Sequence, residues 1–409
     1  MIRNFWGLSL FDGSSVNGDV GLEVETDKIL VVNDKLYNMN STELLKYEVN
    51  EGVSEFHAML HVSDVSQPFK GQVEDIISSY LHLMEEERRF SPVFIRIFLS
   101  DAANQSEFFQ SAFSEYQKCA ISIVEQPPLD GSKIAMWVYA VTDVTVQTSS
   151  DGLFEVRHGD YNHLWGAYSF NKENGSEEQT RRLLTDYVAQ LQKRGCRLAD
   201  NCVRTWFFVQ NVDVNYAGVV KARNEVFLPE GLTKQTHFIA STGIAGRHAE
   251  PSVSVLMDTY AISGLQEGQM NYLYAPTHLN PTHEYGVSFE RGTYVDYGDR
   301  RHVFISGTAS INNKGEVVHV GDIRKQTERM LENIEMLLKE ADCSFENVAH
   351  LIVYLRDVAD YAIVRKIFAE RFPSIPTVIV LAPVCRPGWL IETECMAVKR
   401  ITNKCYPDF

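Results

Sequence analysis

Two periods of hydrophobic and polar residues alternate along this chain. Runs at 93–99 (VFIRIFL), 203–209 (VRTWFFV), 303–308 (VFISGT) and 349–356 (AHLIVYLR) are β-branched or aromatic and predict strands. Between them, apolar residues fall at helical spacing. In 321–339, Ile323, Thr327, Met330, Leu331, Ile334, Leu337 and Leu338 share one helical face. Val73, Ile76, Ile77, Tyr80 and Leu83 do the same in 72–84, and 179–191 follows suit. Further strands are predicted at 56–62, 120–124, 134–141, 161–170, 237–240, 253–262 and within 377–397, and further helices at 106–116 and 216–227.

The order of these elements returns three times. Gln72, Gln179 and Gln326 open matching helices, and Asp101, Asn211 and Asp357 follow the next strand. Ala140-Val141, Ala261-Ile262 and Ala397-Val398 close each set. Such recurrence marks a repeated fold. It predicts an α+β chain of three units, each a sheet with two helices on one face. The units fall at 1–145, 155–262 and 296–400, with 263–295 as an added segment. Residues 1–50 carry turn signals at Asp12-Gly13 and Asn17-Gly18 and read as short strands and loops of the first sheet. Three units can pack around a pseudo-threefold axis, so that one chain imitates a homotrimer with clefts between units. Small-molecule sites often form in such clefts.

Composition narrows the classes. With 44% hydrophobic and 22% charged residues, the 409-residue chain is long and apolar enough to bury a sizeable core. A formal net charge of -16 argues against nucleic-acid binding, which needs a basic footprint. No apolar run is long enough to span a membrane, and MIRNFWGLSL is too short and polar for a signal peptide, so a cytoplasmic protein is expected. The 7 cysteines never pair as CxxC, which argues against a disulfide framework or structural zinc. His163, His278 and His283 have no HxH or HExxH companion, and GxGxxG, Walker A and GxSxG motifs are absent. No metal and no cofactor are expected.

The last unit is similar to the RidA (YjgF) family, small trimeric proteins with a chorismate-mutase-like fold. The matching pieces are 303–310 (VFISGTAS), 315–338 (GEVVHVGDIRKQTERMLENIEMLL), 353–364 (VYLRDVADYAIV) and 390–398 (LIETECMAV). Over 200–399 the chain resembles the chorismatases, which carry a RidA-like C-terminal domain. That resemblance rests on 215–227 (NYAGVVKARNEVF), 240–246 (ASTGIAG), 285–292 (YGVSFERG), 306–310 (SGTAS) and 385–394 (CRPGWLIETE). It implies hydrolysis of the enolpyruvyl ether of chorismate with release of pyruvate. It also implies Glu392 as the catalytic acid and Cys385 as a position that shapes the product. Three departures stand out. Thr377 occupies the place of the arginine that holds the substrate carboxylate in RidA imine hydrolases. Ala240 replaces a proline before the STG segment, and Ile391 to Glu394 reads IETE rather than VEIE.

The residues themselves support a pocket for a small carboxylic acid. Glu392 and Glu394 alternate with Thr393 and face one side of a strand, either a cleft or solvent. Their counterparts are Leu256 and Asp258 in the second unit, and Ala135 and Trp137 in the first. A carboxyl in an apolar cleft keeps its proton and serves as a general acid. Guanidinium groups meet carboxylates as bidentate forks, and Arg204, Arg223, Arg291 and Arg386 are the candidates; internal ion pairs are the ordinary alternative. Cys385 precedes Arg386 and reads as a reactive thiol or a small buried hydrophobe. Ser241, Thr242 and Gly243, with Gly307 and Thr308, allow close backbone approach and hydroxyl contacts. His237 joins them as a lining candidate. The expected activity is chorismatase-like hydrolysis. RidA-type imine or enamine hydrolysis and non-catalytic binding of a small acid are the alternatives. Endoribonuclease activity, which RidA relatives carry in their names, gains nothing from so acidic a chain. Assembly beyond the internal pseudo-trimer is left open.

Overall fold

A computed structural model of the protein describes residues 41–49 and 51–409; the two N-terminal turn signals lie outside the described residues. Sheet one joins β1 (Ser41–Tyr47), β2 (Glu55–His61), β3 (Phe90–Leu99), β4 (Ala120–Glu125) and β5 (Ile134–Thr142) in the order β1-β2-β5-β3-β4. Its helices are α1 (Phe69–Glu86) and α2 (Ala102–Ala112). Sheet two holds β6 (Thr145–Thr148), β7 (Phe154–His158), β8 (Tyr161–Ser169), β9 (Cys202–Val209), β10 (Ala240–Ala245) and β11 (Val255–Ser263), ordered β10-β9-β11-β8-β7-β6. With it go α3 (Gly175–Gln192), α4 (Leu198–Asn201) and α5 (Val212–Phe227).

Sheet three runs β12-β13-β14-β17-β15-β16. Its strands are β12 (Met270–Leu273), β13 (Gly292–Asp296), β14 (Arg300–Ala309), β15 (Val348–Leu355), β16 (Thr377–Leu381) and β17 (Ile391–Arg400), with helices α6 (Ile323–Glu340) and α7 (Tyr361–Arg371). Each sheet carries one parallel pair at an edge, β3 with β4, β9 with β10 and β15 with β16, and is otherwise antiparallel. The fold is therefore α+β, one topology repeated three times.

The three glutamines that mark the repeat do the same physical job. Gln72, Gln179 and Gln326 are buried on the first long helix of their units. Each accepts a backbone N–H from the loop leading into its unit's last long strand: Lys133 at 2.7 Å, Ser254 at 2.8 Å and Leu390 at 2.9 Å. A buried amide needs such partners, and each bond fastens a helix to the strand it packs on. Beyond the helix-facing cores of the first two units, one further cluster gathers Phe94 and Trp137, Trp206 and Tyr260, and Phe304 and Met396. The three sheets thus meet face to face at the centre.

Two local readings change. The added segment is not outside the third sheet, because β12 and β13 extend it. The strand expected at 237–240 runs over 240–245 instead. STGIA lacks the look of a strand, and its parallel pairing with β9 supplies the order that local pattern does not.

Candidate active site

Register aligns the three units. Trp137 pairs with Arg96, Asp258 with Trp206 and Glu394 with Ile352; two residues earlier, Ala135, Leu256 and Glu392 pair with Phe98, Phe208 and Tyr354. Where β10 and α5 of the second unit meet β14 and β17 of the third lies a cleft of about 510 Å³, its open mouth included. Glu392, Arg223, Arg291, Arg386, Cys385, Ser241, Gly243 and Gly307 line it. These residues come from distant parts of the chain, and the inter-unit contact brings them together.

Glu392 is 5% exposed. Burial pushes its carboxyl up to about 8, and the charge of Glu394 adds to the rise against the pull of Arg204 and Arg291. The glycines work through what they lack. A Cβ at Gly307 would collide with Oε1 of Glu392, and one at Gly243 would sit 2.7 Å from the ring of Tyr216. Arg223 is 1% exposed, flanked at 6.0 Å by the rings of Phe207 and Phe289. Its Nε and Nη2 find no hydrogen-bond partner among the described residues. A buried guanidinium left so is costly, and an anion in the cleft relieves that cost.

Arg291 donates to the Asn280 backbone oxygen at 2.9 Å and side-chain oxygen at 3.1 Å. Arg386 stacks on Tyr285 at 4.5 Å and Trp389 at 5.2 Å. Burial, with help from Glu392 and against Arg386, pushes the Cys385 thiol up to about 12. It stays protonated and packs as a small hydrophobe.

Four candidates lie elsewhere. Arg204 meets the internal acid that a buried strand arginine requires: it bonds Glu394 at 2.9 Å, with Ser306 and Thr242 beside it. Thr242 turns toward that same network. Thr308 donates to the Ser306 carbonyl at 2.9 Å. His237 stacks on Tyr272 at 4.1 Å and lines a neighbouring cavity. The aromatic wall of Tyr216, Tyr285 and Trp389 was not singled out from sequence. Tyr216 shares a helical face with Arg223, and the other two stand near Arg291 and Arg386, which is the signal available. No group of His, Cys, Asp or Glu among the described residues is arranged to hold a metal, and no described helix is long and apolar enough to cross a membrane.

A crystal structure of a chorismatase shares this three-unit fold, with a TM-score of 0.60 and 16% identity over 88% of this chain and 100% of the other. The endoribonuclease L-PSP family model matches residues 289–399. A RutC family protein of Pyrococcus horikoshii is 39% identical over 128 residues, 31% of this chain and 92% of its own. The 3-aminoacrylate deaminase RutC of Acinetobacter baylyi is 39% identical over 97 residues, 23% of this chain and 77% of its own. Through its third unit, the chain belongs to the endoribonuclease L-PSP and RutC family.

Proposed function

We propose that the protein is a cytoplasmic, chorismatase-like hydrolase that takes chorismate or a related enolpyruvyl-bearing cyclic carboxylic acid and releases pyruvate. One observation carries the reading: a proton-bearing carboxyl, Glu392, shares a buried cleft with a guanidinium, Arg223, whose N–H groups are unpartnered. Arg223 holds one substrate carboxylate, and Arg386 with Arg291 faces a second. Glu392 gives its proton to the terminal CH2 of the enolpyruvyl group, and the double-bond electrons form the new C–H bond. The adjacent carbon becomes an oxocarbenium, stabilised by the carboxylate left on Glu392. Water adds there and returns a proton to Glu392. The resulting hemiketal collapses: Glu392 gives its regained proton to the ring oxygen as that C–O bond breaks, takes up the proton of the hemiketal hydroxyl as it becomes a ketone, and the ring leaves as an alcohol beside pyruvate. In this reading the second unit (155–262) and the third (296–400) form the site, and the segment 263–295 supplies Arg291 and Tyr285. No described residue of the first unit (1–145) lines it.

The second reading is RidA-type hydrolysis of an enamine or imine, which the similarity to a 3-aminoacrylate deaminase favours. Ser241 pairs with Thr205 as Thr377 pairs with Leu351, so the residue facing Glu392 at the RidA arginine position is Ser241. A carboxylate would therefore rely on Arg223, from a helix. The test is incubation with chorismate, with pyruvate followed by a coupled assay. Pyruvate that is lost in Glu392→Gln supports the first reading. Turnover of 2-iminopropionate alone supports the second, and binding without turnover of either supports a sensor of small acids.

A further inference from the structure

Glu392 does not stand alone on its strand. Glu394, two residues on and facing the same side, ties all three units together. It accepts hydrogen bonds from Arg204 at 2.9 Å, Trp206 Nε1 at 2.8 Å and the Thr242 hydroxyl, all from the second unit. From the first unit, Arg96 lies 3.6 Å away and holds Asp258 at 2.9 Å with its other nitrogen. The rings of Phe94, Trp137, Trp206 and Phe208 enclose Arg96 at 4.9 to 5.5 Å. Thr242 carries this network to the cleft. Its oxygen accepts the Gly307 N–H at 2.9 Å, and Gly307 is the residue whose missing Cβ makes room for the Glu392 carboxyl.

We infer that Glu394 is a positioning residue for Glu392: through Thr242 and Gly307 it fixes where that carboxyl lies, and by its charge it governs how tightly the proton is kept. The inference rests on the reading of Glu392 as proton donor. Facing Glu392 from the packed elements are Arg204 on β9, Arg223 and Tyr216 on α5, and Tyr354 on β15, with Arg291, Tyr285, Cys385 and Arg386 on the intervening loops. The arginines all favour the ionised form. Glu394 supplies the opposing negative charge and also neutralises Arg204, so both effects act in the same direction.

Carbon-13 titration of the Glu392 carboxyl in the ligand-free full chain tests this without substrate. Glu394→Gln removes the opposing charge and frees Arg204, so the Glu392 midpoint falls by about one pH unit or more. Thr242→Val cuts the hydrogen-bonded link from Glu394 to Gly307 without removing a charge, so the Glu392 carboxyl is freed toward solvent and its midpoint falls by less than in Glu394→Gln; Thr242→Ser keeps the hydroxyl and stays at the wild-type value. Falls in Glu394→Gln and Thr242→Val with Thr242→Ser unmoved support the inference. An equal fall in Thr242→Ser, as mere loosening of the site would give, or no movement in folded Glu394→Gln overturns it. If Glu394→Gln fails to fold, the difference between Thr242→Val and Thr242→Ser decides alone. A wild-type protein that releases no pyruvate counts against the proposed reaction and leaves this titration intact.

Discussion

Two clefts of this molecule are built alike and differ in chemistry. Between the second and third units, β10 and α5 face β14 and β17; between the third and first, β16 and α7 face the edge of sheet one. The second of these clefts is the larger, about 1080 Å³ with its open mouth. It carries Thr377 where the first has Ser241, and Ala135 stands at the register position of Glu392. Two of its charged side chains pair with each other, while Nε2 of His61 finds no hydrogen-bond partner among the described residues. Nδ1 of His61 lies 3.2 Å from Asp130, and Glu43 accepts the Thr377 N–H at 2.7 Å. Burial lowers the proton affinity of His61, yet Asp130 and Glu43 outweigh it and hold the imidazole above its ordinary range. In the first cleft the acid keeps its proton and the arginine keeps open donors. A proton-bearing acid beside an unpartnered guanidinium, rather than volume, marks the first cleft as the candidate site.

The sharpest way to break this comparison is to disable each cleft in turn. Glu392→Gln removes the proton donor and is expected to lower pyruvate release by about 10³-fold, whereas His61→Ala leaves the rate within about twofold. Equal losses in a coupled pyruvate assay would erase the distinction. Next in size is Arg223→Lys, which keeps a charge but loses the fork. Bidentate contact to the substrate is lost, and kcat/KM drops by about 100-fold, mainly through KM. A loss confined to kcat would place the substrate carboxylate elsewhere.

A smaller effect concerns stability. The folded protein holds the Glu392 proton more tightly than the unfolded chain does, so stability is fully present below the ordinary carboxylate range. It is lost as pH rises from there through about 8, where the buried group must ionise. Glu392→Gln has no proton to lose. By thermal melts its Tm should exceed wild type by roughly 5 °C at pH 9 and match it near pH 4. Identical Tm values at both pH values would mean that the carboxyl is not buried as described. Activity should fall over the same range, since only protonated Glu392 can act as an acid.

Much of this was legible from residues and much was not, for physical reasons. The repeat showed because each unit must bury the same faces, and Gln72, Gln179 and Gln326 recur because each must clamp a loop. Glu392 showed because an acid inside an apolar strand is conspicuous. Arg204 looked equally conspicuous, but its partner Glu394 lies in another unit, and pairing across units leaves no trace in local spacing. Tyr216, Tyr285 and Trp389 were hidden for the opposite reason, since an aromatic residue looks the same in a core and in a cleft wall. The role of Gly307 depends on a carboxyl from β17, a contact that no local pattern encodes.

The smallest effect is expected at Cys385, and it sharpens the contrast between packing and chemistry inside the candidate cleft. Its neighbour Arg386 would favour a thiolate, but burial and the nearby Glu392 outweigh that pull and hold the thiol at about 12. At neutral pH it carries its proton and cannot act as a nucleophile. Cys385→Ala should therefore change the rate of pyruvate release by no more than about threefold. Iodoacetamide should leave the folded protein's Cys385 unmodified, because alkylation needs a thiolate. What the substitution can alter is the space beside Tyr216 and Glu392, and with it the position from which water reaches the oxocarbenium. Product analysis by mass and ultraviolet spectrum reads that change directly. A changed ring product at nearly unchanged rate fits a wall residue; a rate loss as large as that of Glu392→Gln would make the thiol part of the chemistry.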